Sequence, residues 1–184
     1  YALLEVDMSK VIPFVQSYSE MHKVKVTPIH LFAFVMAHCM KKRPEINGML
    51  RRSKIYLREH VSIFFQINVP GAGKDKTKDA NLSGATLDKV ENMSLKDISQ
   101  ALAARADKLR KGEDKEFKKS FGMIQKIPWF LVRHFLNFST FLLYGLNLDL
   151  SFLGLPKDPF GSIMITNVGS MGIELAWAPL CPYT

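Results

Sequence analysis

Between residues 29 and 111 the chain changes its hydrophobic period twice, and few architectures accommodate both changes. From Ile29 to Met40 it is apolar nearly all round, as a helix buried against a sheet would be. Thr27-Pro28 starts that helix, with threonine at the cap and proline in the first turn. Val61, Ile63, Phe65 and Ile67 then alternate as in a strand from His60 to Val69. Met49 to Tyr56 reads as a preceding strand joined to it by a charged turn, and Leu82 to Leu87 as a following one. Ser94 with Asp97 then forms a capping-box-like start to a helix running to about Lys111. Strands interrupted by long helices imply an α/β two-layer sandwich with a mixed sheet rather than a helical bundle.

The length of 184 residues suits one domain, with enough chain for a real core. Ala2 to Val6 reads as an opening strand, and Ser9 as the N-cap of a helix of about one and a half dozen residues. Tyr1 shows neither a basic leader nor a signal-like apolar stretch, and because the sequence opens in mid-strand an internal fragment of a longer protein is expected. Cys39 and Cys181 are the only thiols, which points to a reducing compartment with no disulfide framework. The expected location is cytoplasmic, or the mitochondrial matrix in a eukaryote.

The net charge of +8 is carried by clusters at 41–43, 51–52, 74–78 and 108–119, the last interleaved with Asp and Glu. No zinc-finger spacing, RNP-like aromatic run or arginine-rich arm accompanies them, so nucleic acid is not an expected partner and no metal is expected. A solvated basic face accounts for the charge, and an anionic cofactor such as coenzyme A would use the same charge. The loop Pro70-Gly71-Ala72-Gly73-Lys74-Asp75-Lys76-Thr77 lacks the spacing of a phosphate loop and carries Asp75 where Mg²⁺ chemistry needs a hydroxyl. His30 and His38 ride on an apolar helix, where a satisfied structural role is expected. Residues 127–155 are strongly apolar and aromatic but are interrupted by Arg133, His134 and Asp149, so no run reaches the roughly 18 residues of a spanning helix. A helical hairpin packed on its own domain or on a neighbouring subunit is expected there, with a membrane-lying amphipathic helix as the alternative.

The chemistry-bearing segment is Pro159-Phe160-Gly161-Ser162-Ile163-Met164-Ile165-Thr166-Asn167-Val168-Gly169-Ser170-Met171-Gly172-Ile173. Ser162 to Thr166 reads as a short strand delivered into a glycine turn, leaving the Thr166 hydroxyl on a rigid support. This segment resembles the "F-T-[IV]-[ST]-N-[LV]-G-x-x-G" turn of the dihydrolipoyl acyltransferase catalytic domain, the core of 2-oxo acid dehydrogenase complexes. Tyr1-Ala2-Leu3-Leu4-Glu5-Val6-Asp7-Met8-Ser9-Lys10 is similar to that family's opening strand. Pro44-Glu45-Ile46-Asn47 resembles its "P-E-x-N", and Ser94-Leu95-Lys96-Asp97-Ile98-Ser99 its helix start. The resemblance covers most of the chain in order. The 127–155 stretch departs from it as an apolar insertion within one acyltransferase-like domain, 1–184.

The resemblance implies a chloramphenicol acetyltransferase-like fold, incomplete at the C-terminus, and acyl transfer between coenzyme A and a thiol such as dihydrolipoamide. The lipoyl group would sit on a separate domain or partner. A homotrimer or larger homo-oligomer and other dehydrogenase-complex subunits are the implied partners. Such transfer needs a base for the attacking thiol and donors for the oxyanion. Thr166 matches the oxyanion hydroxyl, and Asn167 and Gly169 match the turn that shapes the site. The family's base is the histidine of "D-H-R-x-x-[DN]-G". None of His22, His30, His38, His60 or His134 stands in that pattern, so the base is expected beyond Thr184 in a continuing polypeptide. Two alternatives stay open: a catalytically silent scaffold of the same fold, or a free-standing acyltransferase with a different acceptor.

Overall fold

The computed structural model describes residues 3–51, 54–69, 81–110, 128–146, 148, 151, 158, 160–167 and 169. Its centre is β3 (Ile63–Val69), which pairs antiparallel with β4 (Asn81–Leu87) and parallel with β5 (Ile163–Ile165), giving the order β4–β3–β5. The registers Phe65↔Ala85 and Phe65↔Ile165 put Ile63, Phe65, Leu87 and Ile165 into the core. The sheet is therefore mixed, as expected.

Two helices cover this sheet. In α2 (Pro28–Lys42) Ala33 and Ala37 are wholly buried with Met40, and α3 (Leu95–Arg110) adds Ile98 to the same cluster. Alanines four apart let the helix approach closely enough to bury the sheet's larger side chains. The opposite face of α2 is open, with Phe32 and Val35 exposed. The all-round apolar pattern thus overstated the helix's burial, because its partner covers one side. A smaller cluster joins Val15 of α1 (Val11–His22) to Val26 and Leu95.

Two of the three helix starts read from sequence are present. The Thr27 amide donates to His30 Nδ1 at 2.9 Å. Ser94 and Asp97 exchange bonds: the Ser94 hydroxyl and amide donate to the Asp97 carboxylate at 2.7 and 3.0 Å, and the Asp97 amide donates to Ser94 Oγ at 3.2 Å. These bonds to Ser94 hold the Asp97 carboxyl below the usual carboxylate range.

Several expectations are corrected. Residues 3–8 are coil rather than strand, and Leu3, Leu4 and Val6 are exposed. An apolar run with no ladder partner and no surface to cover has nothing to hold it in a sheet. Ser9 does not cap α1: its amide and hydroxyl both donate to the Asp7 carboxylate, and the helix starts at Val11 and spans 12 residues. Residues 49–56 are two strands, β1 (Gly48–Arg51) and β2 (Lys54–Leu57), folded on each other in a separate sheet. Leu50, Ile55 and Leu57 share one face of the hairpin, which is exposed. β3 starts at Ile63 rather than His60, because the His60 carbonyl and the Val61 amide are bonded to side chains instead of a strand. The helical hairpin expected within 127–155 is a helix, α4 (Trp129–Thr140), continued by a π-helical turn, Phe141–Gly145, and no second α-helix follows it among the described residues. The loop 70–77 lies outside the described residues.

Candidate active site

The strand that carries the candidate hydroxyl is held at its entry by contacts of three residue pairs. Arg58 clasps Asp158 with two nitrogens, Nε to Oδ2 and Nη2 to Oδ1 at 3.2 Å, and its Nη1 donates to the Gly48 carbonyl at 3.3 Å. With only a tenth of the Arg58 side chain exposed, this two-pronged charged contact is shielded from solvent screening on one side. The Phe160 ring meets Phe64 edge-on at 5.3 Å, and Phe64 in turn lies over Gly84 on β4. The Ser162 amide donates to the Ser62 carbonyl at 2.7 Å, and the Ser62 amide donates to Ser162 Oγ at 3.2 Å. Between them sits Gly161 at φ +64°, where a Cβ would lie 2.6 Å from the Ser62 carbonyl oxygen. Only glycine combines that left-handed backbone with that close approach.

From this anchored entry the chain runs as β5 for three residues. Ile163 and Ile165 point to the core and Met164 away from it. Thr166 is the first residue beyond the strand, which ends at Ile165, one position earlier than the end read from sequence, and it is exposed. Its hydroxyl makes no hydrogen bond among the described residues. Asn167 follows, also exposed, and its Oδ1 accepts the Gly169 amide at 3.1 Å, closing an Asx turn. The three sequence-derived residues therefore stand together at the carboxyl end of a strand that is parallel to its neighbour. A backbone this constrained before the hydroxyl, and a turn closed by a side chain after it, suit a donor that must hold one position.

The histidines stand elsewhere. His30 Nδ1 is occupied by the Thr27 amide, and burial lowers its pKa below the ordinary imidazole value. His38 Nδ1 donates to the Phe34 carbonyl at 2.9 Å and its ring packs on Phe34 at 4.2 Å. His22 packs on Tyr18 at 4.2 Å, and His134 is exposed on a helix. His60 Nδ1 faces Glu91 Oε1 at 3.3 Å. Glu91 is a buried carboxylate whose other oxygen accepts the Val61 amide at 3.0 Å, so it ties the turn before α3 to the start of β3. No described histidine contacts Thr166. Among the described residues no group of three or more His, Cys, Asp or Glu is placed to hold a metal ion.

Sequence reasoning picked out Thr166, Asn167 and Gly169 but missed Arg58, Asp158 and Ser62, which place the strand. Their signal is long-range: Arg58–Asp158 and Ser62–Ser162 each join residues 100 positions apart, and no local period marks them. Of the basic clusters proposed for an anionic cofactor, Lys41 instead bonds Asn92 Oδ1 at 3.1 Å and Arg43 pairs with Glu45 at the surface. The described residues place neither at Thr166.

A family model for the 2-oxoacid dehydrogenases acyltransferase (catalytic domain) matches residues 1–124. No curated protein sequence matches the chain. Among solved structures, a probable dihydrolipoamide acetyltransferase from Listeria monocytogenes 4b F2365 is 16% identical, with a TM-score of 0.57 over 95% of this chain and 56% of its own. The dihydrolipoamide acetyltransferase (E2p) of Azotobacter vinelandii is 23% identical over 58% of this chain and 42% of its own, with a TM-score of 0.48. The chain thus spans about half the length of the solved relatives it matches. The Listeria likeness carries the fold, that of the dihydrolipoamide acetyltransferase catalytic core with its chloramphenicol acetyltransferase-like architecture. With two thirds of its residues under one family model and its sheet and helices in that family's arrangement, the chain belongs to the 2-oxoacid dehydrogenase acyltransferases.

Proposed function

We propose that the protein moves an acyl group between coenzyme A and a thiol such as dihydrolipoamide, in or related to a 2-oxo acid dehydrogenase complex. The observation that carries the reading is the exposed Thr166 hydroxyl at the end of β5, held from behind by Gly161 and the Ser62–Ser162 pair. When a thiolate attacks a thioester carbonyl, negative charge gathers on the carbonyl oxygen. A hydroxyl fixed beside that oxygen lowers the barrier by donating a hydrogen bond that strengthens as the charge develops. Thr166 is the donor, and Asn167 and Gly169 fix its turn. The base that removes the thiol proton is a histidine other than the five here, each of which lacks the family pattern.

The proposal extends to one acyltransferase domain, 1–184, with residues 127–155 as an insertion. The lipoyl group is presented by a separate domain or partner. Assembly is as a homotrimer or larger homo-oligomer, alongside other complex subunits, in the cytoplasm or mitochondrial matrix. Membership of the family supports the separate lipoyl carrier and the oligomeric assembly.

Thr166→Ala in the complete polypeptide tests the mechanism. Turnover with acetyl-coenzyme A and dihydrolipoamide should fall by about 10²-fold, with little change in coenzyme A affinity. Unchanged turnover removes Thr166 from the mechanism, and an inactive complete protein that still assembles favours a scaffold.

A further inference from the structure

Two positions before its hydroxyl, the turn pattern "F-T-[IV]-[ST]-N" carries a threonine, and in this chain that place is held by Met164. Met164 is 46% exposed, while Ile163 and Ile165 on either side of it turn to the core. Side chains two apart on an extended chain share a face, and no turn or bend separates Met164 from Thr166. The methionine therefore stands on the Thr166 side of β5, about 7 Å along the strand from it. This is the face of the sheet opposite the one that α2 and α3 cover.

In the ladder Met164 lies beside Phe64 of β3. The Phe64 ring reaches diagonally across to β4 and lies over Gly84, where any Cβ would overlap it, and Phe160 meets it edge-on. Met164, Phe64 and Phe160 thus make one apolar strip behind the candidate hydroxyl. The described side chains of the three strands that share this face, Phe64, Gln66, Thr86 and Met164, carry no charge.

Three groups diverge from a thioester carbonyl carbon held at Thr166: the leaving sulfur, the attacking sulfur and the acyl substituent. Both sulfurs carry long arms that must run out to solvent, whereas the acyl substituent ends inside the site, so an uncharged apolar wall suits the acyl substituent. An acetyl methyl stops beside the carbonyl carbon. A longer chain continues over Met164 towards Phe64, and the unbranched thioether adapts to its shape.

We infer that Met164, with Phe64 behind it, is the wall that selects the acyl group, and that the group carried is apolar and larger than acetyl. The inference rests on the acyl-transfer reading of Thr166 and adds the class of group transferred. The reaction is unchanged by it: the C–S bond to coenzyme A breaks, the C–S bond to the acceptor thiol forms, and the acceptor's proton ends on the coenzyme A sulfur.

The test measures kcat/KM of the complete protein for butyryl- and acetyl-coenzyme A, with dihydrolipoamide as acceptor. Butyryl should be preferred by about tenfold or more. Met164→Thr should cut that preference by about tenfold with the circular dichroism unchanged, and Met164→Leu should keep it. Leu50→Ser on the β1–β2 hairpin should leave it as it is.

A preference unmoved by Met164→Thr, or an equal loss with both donors, overturns the inference and leaves acyl transfer standing. So does a wild-type preference for acetyl. An effect of Met164→Thr confined to the KM for dihydrolipoamide gives the strip to the acceptor's arm, and a changed oligomer mass in light scattering without a changed preference gives it to a subunit contact; either overturns the inference. A protein inactive with every donor fails the acyl-transfer reading itself, and this inference with it.

Discussion

α2 and α4 are both rich in apolar residues, yet one is built into the core and the other is turned outward. The difference lies in where the small residues fall. α2 places Ala33 and Ala37 on one strip, both at 0% exposure, and the sheet's Ile63 and Phe65 pack against that gap. α4 has no alanine, and its outward strip is made of rings that stand proud of the backbone. Total hydrophobicity therefore does not assign a helix to the core. A strip smooth enough for close approach does so, because dispersion and burial both depend on contact at van der Waals distance.

The sharpest way to break this contrast is to cut equivalent apolar bulk from the two regions. Ile98→Ala empties a wholly buried site and should cost about 2–5 kcal/mol in denaturant-measured stability. A loss below about 1 kcal/mol would mean that the α2–α3–sheet cluster is looser than its burial implies. Gly161→Ala comes next, costing about 1–3 kcal/mol because the added Cβ meets the Ser62 carbonyl at a positive φ. Acyl-transfer turnover of the complete protein should fall with it if the β5 entry positions Thr166, and a normal rate would separate strand anchoring from catalysis.

A smaller effect comes from acid. The folded pKa of His30 lies below the ordinary value because burial disfavours its charged form, so the unfolded chain takes up the proton first. Its contribution is whole above the ordinary histidine value and is lost as pH falls through that value towards the lowered folded one. Melting temperature followed against pH should show this acid-side loss, and His30→Gln should flatten it. The smallest effect is expected from Phe138→Ala, within about 0.5 kcal/mol, since that ring already faces solvent. A larger loss would show that α4 is covered in solution.

Local chemistry was legible where one segment carries its own stop and start signals. Thr27-Pro28 and Ser94 with Asp97 mark helices that begin where they were read, and the alternation from Val61 to Ile67 found the central strand. Thr166 was legible for the same reason, as a hydroxyl between a β-rich triplet and a glycine turn. The β1–β2 turn was not, because residues 51–54 hold no glycine, asparagine or proline to announce it. Asp7 took the hydroxyl of Ser9 that a cap would have used, a competition no propensity scale records. Arg58–Asp158 was beyond reach for a different reason, since pairing across 100 positions is settled only once the sheet order is known.

The pairing of Ile63 with Ile163 also sets an order of assembly. β3, β4, α2 and α3 all lie within residues 28–110, so a nascent chain owns nearly the whole core before β5 has been synthesised. Closing the β3–β5 contact costs the entropy of the longest loop in the sheet and gains only a three-residue ladder. The strand bearing Thr166 is therefore expected to dock last and to open first. Native-state hydrogen exchange checks this: the Ile163 amide should exchange faster than the Phe65 amide, and the reverse would mean that the candidate catalytic edge is as old as the core it leans on.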